Sequence, residues 1–162
     1  MGACRRVVLG QTKPEPTMTD ITRLTPADRA RWDELWEGYL TFYKTSEPPA
    51  IYEQLWRRIQ SGDGVFAFGA RVDGTLIGIA HYLFHANVRG ADVCYLNDLY
   101  VDPTLRGTGA GRLLIEAVGA EAKARKCSRY YWQTQETNIV ARQLYDRLAK
   151  FNGFIRYDYP MS

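Results

Sequence analysis

The hexapeptide Arg106-Gly107-Thr108-Gly109-Ala110-Gly111 places three glycines and a cation between a β-type run and a helix-type run. At the start of a helix the first backbone N–H groups have no intrahelical acceptor and the macrodipole is positive, so such a turn can receive an anion. Glycine at 107, 109 and 111 removes the side chains that would block a pyrophosphate, and Arg106 can fork onto phosphate oxygens. Thr108, Ala110 and Arg112 complete the turn and its entry into the helix as candidate phosphate contacts. A three-glycine turn also serves plain tight packing, but the strand before it and the helix after it favour the ligand reading. Two other phosphate sites are excluded by spacing. Gly107-x-Gly109-x-Gly111 is not G-x-G-x-x-G, and the stretch Cys127 to Thr134 offers no acid for a ribose hydroxyl. No Lys-Ser or Lys-Thr follows the turn, so the Walker arrangement fails too.

The elements that must position this turn are legible in order. Ile21 to Leu24 alternates like a short strand, and Thr25-Pro26-Ala27-Asp28 reads as an N-cap, a proline at the first helical position and an acid in the first turn. Leu35, Trp36, Tyr39, Leu40 and Tyr43 recur at helical spacing. Pro48-Pro49 interrupts the pattern before a second helix with Ile51, Leu55, Trp56 and Ile59. Val65 to Val72 and Thr75 to Phe84 are β-type runs joined by Asp73-Gly74, which predicts a tight antiparallel hairpin. Val93 to Val101 predicts the strand before the glycine turn, and Arg112 to about Lys126 the helix after it. Arg129 to Thr134 follows as a strand, Asn138 to Lys150 as a final helix and Gly153 to Tyr157 as a closing strand.

With 162 residues, 46% hydrophobic and 24% charged, the chain suits one globular domain with a single substantial core. Residues 1–17 lack helical or strand periodicity and read as a disordered leader, with the domain over 18–162. The net charge of +3 is spread along the chain, which favours an anionic ligand over nucleic acid. Cys4, Cys94 and Cys127 have no C-x-x-C spacing, and with His81 and His85 they suggest neither a disulfide framework nor a metal site. A reducing, cytoplasmic setting is expected, and no apolar run is long enough to span a bilayer.

On the residues Arg106, Gly109 and Gly111 the chain resembles the GNAT superfamily of N-acetyltransferases, whose acetyl-CoA motif is Gln/Arg-x-x-Gly-x-Gly/Ala after a strand. The match runs back through Asp98-Leu99-Tyr100-Val101-Asp102-Pro103 and forward through Leu113, Leu114 and Ile115, and a second family motif stands as Asn138-x-x-Ala141-x-x-Leu144-Tyr145. The resemblance covers about Met18 to Tyr157. It implies an α/β (α+β) fold with a mixed, mostly antiparallel central sheet flanked by about four helices. It also implies acetyl-CoA as co-substrate, with no metal, and an amine as acceptor. Within the family the chain looks most similar to compact histone- and polyamine-type acetyltransferases.

Carried over by the resemblance, Leu99, Tyr100 and Val101 offer their backbone to the pantetheine arm, Asn138 contacts the coenzyme and the Tyr145 hydroxyl protonates the departing thiolate. Seven residues apart, Asn138 and Tyr145 share one helix face. Asn138 equally suits a helix cap, and Tyr145 an ordinary half-buried helix tyrosine. Where some relatives place a glutamate base, this chain has Asn97 followed by Asp98. Strand neighbours point to opposite faces, so only one of the two is expected to face the substrate; Asn97 can orient water, whereas Asp98 can take a proton or act as a structural acceptor. His81 and His85 read as satisfied strand residues. Trp36, Tyr39, Phe42, Tyr43 and Trp56 are candidates to line the acceptor pocket, and Glu37, Glu47 and Glu53 to attract a cation. The expected function is acetyl transfer to a small amine, polyamine or amino acid, with a protein-lysine acetyltransferase and a non-catalytic acyl-CoA-binding module as alternatives. A homodimer through the aromatic segment Gly153 to Tyr159 is also expected.

Overall fold

The computed structural model describes residues 18–161, so the expected leader lies outside the described residues. Five strands, β1 (Thr19–Arg23), β2 (Phe66–Val72), β3 (Thr75–Asn87), β4 (Gly90–Val101) and β5 (Arg129–Trp132), form one sheet in the order β1-β2-β3-β4-β5. Neighbours are antiparallel except β4 and β5, which are parallel and joined across the sheet by a helix. Four α-helices, α1 (Arg29–Phe42), α2 (Pro49–Ser61), α3 (Ala110–Ala124) and α4 (Ile139–Leu148), complete the mixed, mostly antiparallel architecture.

Local chemistry sets the boundaries. The Thr25 backbone N–H donates to Asp28 Oδ2 (2.7 Å) and the Asp28 N–H to the Thr25 carbonyl (2.9 Å), which starts α1 through one 3-10 turn. The Arg71 guanidinium donates to the same carboxylate at 2.7 Å and ties α1 to β2. Asp73 and Gly74 both take positive φ, 49° and 79°, as the tight turn between β2 and β3 requires.

Two cores lie on opposite faces of the sheet. Ala110, Leu114, Ile115, Val118 and Ala122 form one stripe of α3 against Ile77, Ala80, Tyr82, Cys94 and Leu96. On the other face Trp32, Leu35, Trp36 and Leu40 of α1 and Trp56 of α2 pack on Leu76 and Ile79. Trp32 is fully buried, with ring centroids 5.4 Å from Trp36 and 4.9 Å from Trp56. Truncating such an aromatic to alanine costs roughly 3–5 kcal/mol.

One expected element is absent. Gly153 to Tyr157 forms no strand; the segment after α4 has no ladder, and Phe154, Ile155, Tyr157 and Tyr159 are exposed. Alternation and aromatics give a segment strand propensity, but a strand also needs a paired edge, and among the described residues β5 is paired with β4 alone.

Candidate active site

The last paired residues of the parallel ladder are Leu96 and Trp132. Beyond them β5 ends, while β4 runs on from Asn97 to Val101, held on its other edge by β3 as far as Val101 opposite Gly78. Among the described residues one edge of Asn97–Val101 is therefore left without a strand. The side chains of this stretch are engaged elsewhere: Leu99 and Val101 pack on the α3-side core, and Tyr100 packs toward α1. A Cβ at Gly38 of α1 would stand 2.5 Å from the Tyr100 hydroxyl, so glycine there admits the ring. The open edge thus offers main-chain donors and acceptors to an extended ligand.

That open edge leads to the glycine turn. Asp102 accepts hydrogen bonds from the Thr104 N–H (2.9 Å) and hydroxyl (2.7 Å) and pairs with Arg31 (2.6 Å); these bonds hold its carboxyl below the ordinary range and fix the chain as it leaves β4. Gly107 and Gly109 have φ of 86° and 79°, a conformation side chains other than glycine rarely adopt, and a Cβ at either would meet nothing within 4 Å. Gly109 caps α3, and the Leu113 N–H closes the first bond of the helix onto its carbonyl (3.1 Å). The N–H groups of Gly111 and Arg112 precede that bond at the positive end of the helix. Gly111 has a different task, since a Cβ there would lie 3.5 Å from Leu144 and 3.9 Å from Val101, so α4 seats closely on the start of α3. Arg106 is exposed beside the turn, and Arg112 pairs with Glu116 at 2.7 Å.

At the other end of the open edge the strand alternation breaks. Tyr82 is opposite Leu96 while His81 is opposite Asp98, so Asn97 is an extra residue, a β-bulge. The bulge reverses the faces of the residues beyond it. Leu96 points to the α3 side, but Asp98 points to the α1 side. The expectation that Asn97 and Asp98 look to opposite faces is thereby corrected: both line one cavity, and the Asn97 amide donates to Asp98 Oδ1 at 2.7 Å.

Asp98 is only 6% exposed. Burial by itself raises its pKa, but the hydrogen bonds it accepts from His81, Tyr39 and Asn97 outweigh burial and hold it below the ordinary carboxylate range. His81 links it to α1. The Trp32 indole N–H, which can only donate, reaches His81 Nε2 at 2.8 Å, so this nitrogen is the acceptor and the ring proton is on Nδ1, donated to Asp98 Oδ2 at 2.8 Å. His81 is a satisfied strand residue, as expected, and both of its nitrogens are engaged. Burial and the Asp98 charge push the Tyr39 phenol well above its ordinary value.

The cavity, about 210 Å³, is lined by Trp36, Leu55, Val65, His81, Asn97 and Asp98 among others. Of the expected pocket residues Trp36 lines it and Tyr39 faces Asp98, whereas Phe42 is half exposed and Trp56 is core. The Tyr43 ring packs at a tilt of 58° against Tyr39, centroids 5.0 Å apart. Glu37, Glu47 and Glu53 are exposed, and Glu53 pairs with Arg29. A larger open depression of about 400 Å³ on α2, around Arg57 and Arg58, holds none of these groups.

Tyr145 stands where the strands part. Its ring packs on Trp132 with centroids 5.4 Å apart, and burial pushes its hydroxyl up to about 12, so it is protonated at neutral pH. Asn138 caps α4, accepting from the Ala141 N–H at 3.4 Å and donating to Thr134 Oγ1 at 3.1 Å. The pair Trp32 and His81 was not singled out as functional from sequence. The signal for it was the parity of β4: apolar Cys94 and Leu96, then apolar Leu99 and Val101, a shift by one position that marks a bulge.

Among the described residues no group of three or more His, Cys, Asp or Glu could hold a metal, and no helix is long and apolar enough to cross a membrane. The Acetyltransferase (GNAT) family matches residues 30–151. The D-amino-acid N-acetyltransferase HPA3 of Saccharomyces cerevisiae is 34% identical over 149 residues, 87% of this chain and 92% of that protein. The aminoglycoside N(6')-acetyltransferase type 1 of Stenotrophomonas maltophilia is 32% identical over 111 residues, 66% of this chain and 69% of that protein. Aminoglycoside N-acetyltransferase AAC(6')-Iy, solved in complex with CoA, superposes with a TM-score of 0.79 at 20% identity, over 93% of this chain and 100% of that one, which establishes the shared fold. With the family match spanning most of its length, the chain belongs to the GNAT acetyltransferases and is an N-acetyltransferase.

Proposed function

We propose that the protein transfers the acetyl group of acetyl-CoA directly to a primary amine, through one catalytic domain formed by residues 18–162. The observation that carries this reading is the parting of β4 from β5 after Leu96 and Trp132, because it leaves the backbone edge of Asn97 to Val101 open between the glycine turn and the place where Tyr145 packs on Trp132. The pyrophosphate lies against Arg106, Gly107, Thr108, Gly109, Ala110, Gly111 and Arg112, and the pantetheine arm pairs with the free edge of Leu99, Tyr100 and Val101. Asn138 contributes by fixing the start of α4, which carries Tyr145. The acceptor is a small amine, in keeping with relatives named for amino acids and aminoglycosides.

An ammonium near its ordinary pKa of about 10.4 must lose a proton before attack. Asp98 is a weak base here because its donors stabilise the ionised form, and His81 has no free nitrogen. The proton therefore leaves through water ordered by Asn97. The amine nitrogen then attacks the thioester carbonyl, the carbon–sulfur bond breaks with the Tyr145 hydroxyl hydrogen-bonding the departing thiolate, and the second proton lost by the new amide nitrogen passes through water to give the free CoA thiol. Free Cys94 and Cys127 suit a reducing, cytoplasmic setting. Thiol release measured with acetyl-CoA and a panel of amines, with mass spectrometry of the products, tests the reading. The expected result is amine-dependent release with an N-acetylated product; coenzyme binding without release above the hydrolysis blank overturns it.

The exposed segment after α4 supports a homodimer. Phe151, Phe154, Ile155, Tyr157, Tyr159 and Met161 are each 71–92% exposed, apolar surface of a kind that a second copy of the chain would cover. Light scattering at micromolar concentration is expected to give twice the chain mass, and truncation after Lys150 to give the monomer. A monomeric full-length chain overturns this part.

A further inference from the structure

An acid stands at the approach to the phosphate turn. Asp102 precedes Arg106 by four residues, and a negative charge beside a seat for phosphates opposes their binding. Its local task explains its presence: Oδ1 accepts from the Thr104 N–H and hydroxyl and so caps the chain as it leaves β4. The Asp102 backbone is anchored as well, its N–H donating to the Ile77 carbonyl of β3 at 2.9 Å. The other oxygen, Oδ2, accepts from Arg31 of α1 at 2.6 Å, across 71 residues of sequence. Arg31 is itself fixed, with Nε–H donating to the Leu76 carbonyl at 3.1 Å and a terminal nitrogen to Glu34 at 2.6 Å. The Glu34 side chain is 64% exposed and that of Asp102 only 19%, so water screens Glu34 while Asp102 depends on the guanidinium. Charges around the turn thus cancel in pairs, Glu116 with Arg112 and Asp102 with Arg31, and among the described residues Arg106 makes no ion pair.

We infer that Arg31 is a positioning residue for the coenzyme: by neutralising Asp102 and tying it to α1, it lets Arg106 and the α3 N-terminus meet the pyrophosphate with no opposing charge. The inference rests on the acetyl-transfer reading, in which the pyrophosphate lies at this turn. Arg31 acts through Asp102 and touches neither substrate. Without it the Asp102 carboxylate offsets the charge of Arg106, and only the Thr104 cap and the β3 anchor hold the exit from β4. An acid useful for capping is therefore made compatible with a phosphate ligand by a cation from a distant helix.

Calorimetric titration with acetyl-CoA, at about 0.1 M and about 1 M salt where the Debye length falls from about 10 Å to about 3 Å, tests the assignment. Arg31→Met is expected to raise Kd about fivefold or more at the lower salt, with most of that difference from wild type gone at the higher. The KM for acetyl-CoA rises with it, while the KM for the amine and kcat at saturation stay close to wild type. Arg31→Lys keeps the charge and is expected to restore most of the affinity. In the double variant Arg31→Met with Asp102→Asn, the amide retains Oδ1 for the Thr104 cap and the charge is gone, so binding is expected to be tighter than in Arg31→Met alone. A purely structural tie gives no such recovery, because removing the second partner of a broken tie adds nothing. Arg31→Gln gives the same comparisons if thermal melts show that the methionine variant does not fold. Unchanged affinity in a folded, uncharged variant overturns the inference, as does a loss that is equal at both salts or that Asp102→Asn does not relieve; each leaves acetyl transfer standing. A wild-type chain that binds no acetyl-CoA removes both readings.

Discussion

Tyr145→Phe is expected to lower kcat by about a hundredfold while leaving acetyl-CoA affinity and folding almost unchanged. The substitution keeps the ring, and with it the packing on Trp132 and the α3-side core. It removes only the hydroxyl, which makes no hydrogen bond to another described residue, so no buried partner is orphaned. At about 12 the hydroxyl is a weaker acid than a thiol, whose ordinary pKa is about 8.5, so complete proton transfer to a free thiolate is uphill. Its contribution is a hydrogen bond to the charge that develops on sulfur as the carbon–sulfur bond breaks, in a half-buried place where such a bond is worth more than in water. A raised pKa also fixes the pH dependence. The donor form is fully present below about 12 and is lost only as pH rises through that value, so Tyr145 adds no alkaline limb to the rate profile at pH 7 to 10. Steady-state kinetics decide the matter: a fall in kcat supports the transition-state role, a rise in KM for acetyl-CoA at constant kcat assigns the hydroxyl to binding, and wild-type turnover removes it from the chemistry.

Much of this arrangement is written in local sequence. The glycine turn, the helix after it and the hairpin at Asp73-Gly74 follow from backbone conformations that few residues besides glycine tolerate, and these are decided within a handful of positions. The Asn138 to Tyr145 spacing likewise needs only a helix. The end around Asp98 was less legible, because its geometry depends on register. Whether Asp98 faces α1 or α3 is settled by one extra residue in β4, and a bulge is a property of two strands together. The same holds for His81. Its sequence neighbours, Ala80 and Tyr82, say nothing of Trp32 49 residues earlier, although the indole is what dictates its tautomer. The segment Gly153 to Tyr157 shows the converse case, strand-like in composition but without a paired edge in the fold.

Gly109→Val is expected to weaken acetyl-CoA binding by tenfold or more in a domain that still folds. With φ at 79° this residue occupies a region that costs a residue with a Cβ about 1–2 kcal/mol, and a β-branched side chain is the least tolerant of it. In a domain of this size a loss of that order lowers the melting temperature by roughly 2–8 °C, which leaves the fold intact at assay temperature. The effect on binding arises separately. A Cβ at 109 would meet no protein atom within 4 Å, so the added methyl groups project into the space in front of the α3 N-terminus, the space assigned to the pyrophosphate. Any relief of the strain by rotating the turn would also swing the Gly111 and Arg112 N–H groups off the anion. Gly109→Ala provides the graded control, with a smaller loss of affinity, and Gly111→Ala a contrasting one, because its Cβ meets Leu144 at an ordinary contact distance and acts on packing with α4. Calorimetric titration of each folded variant with acetyl-CoA, alongside its thermal melt, separates the two effects. Unchanged affinity in a folded Gly109→Val chain would place the pyrophosphate somewhere other than this turn.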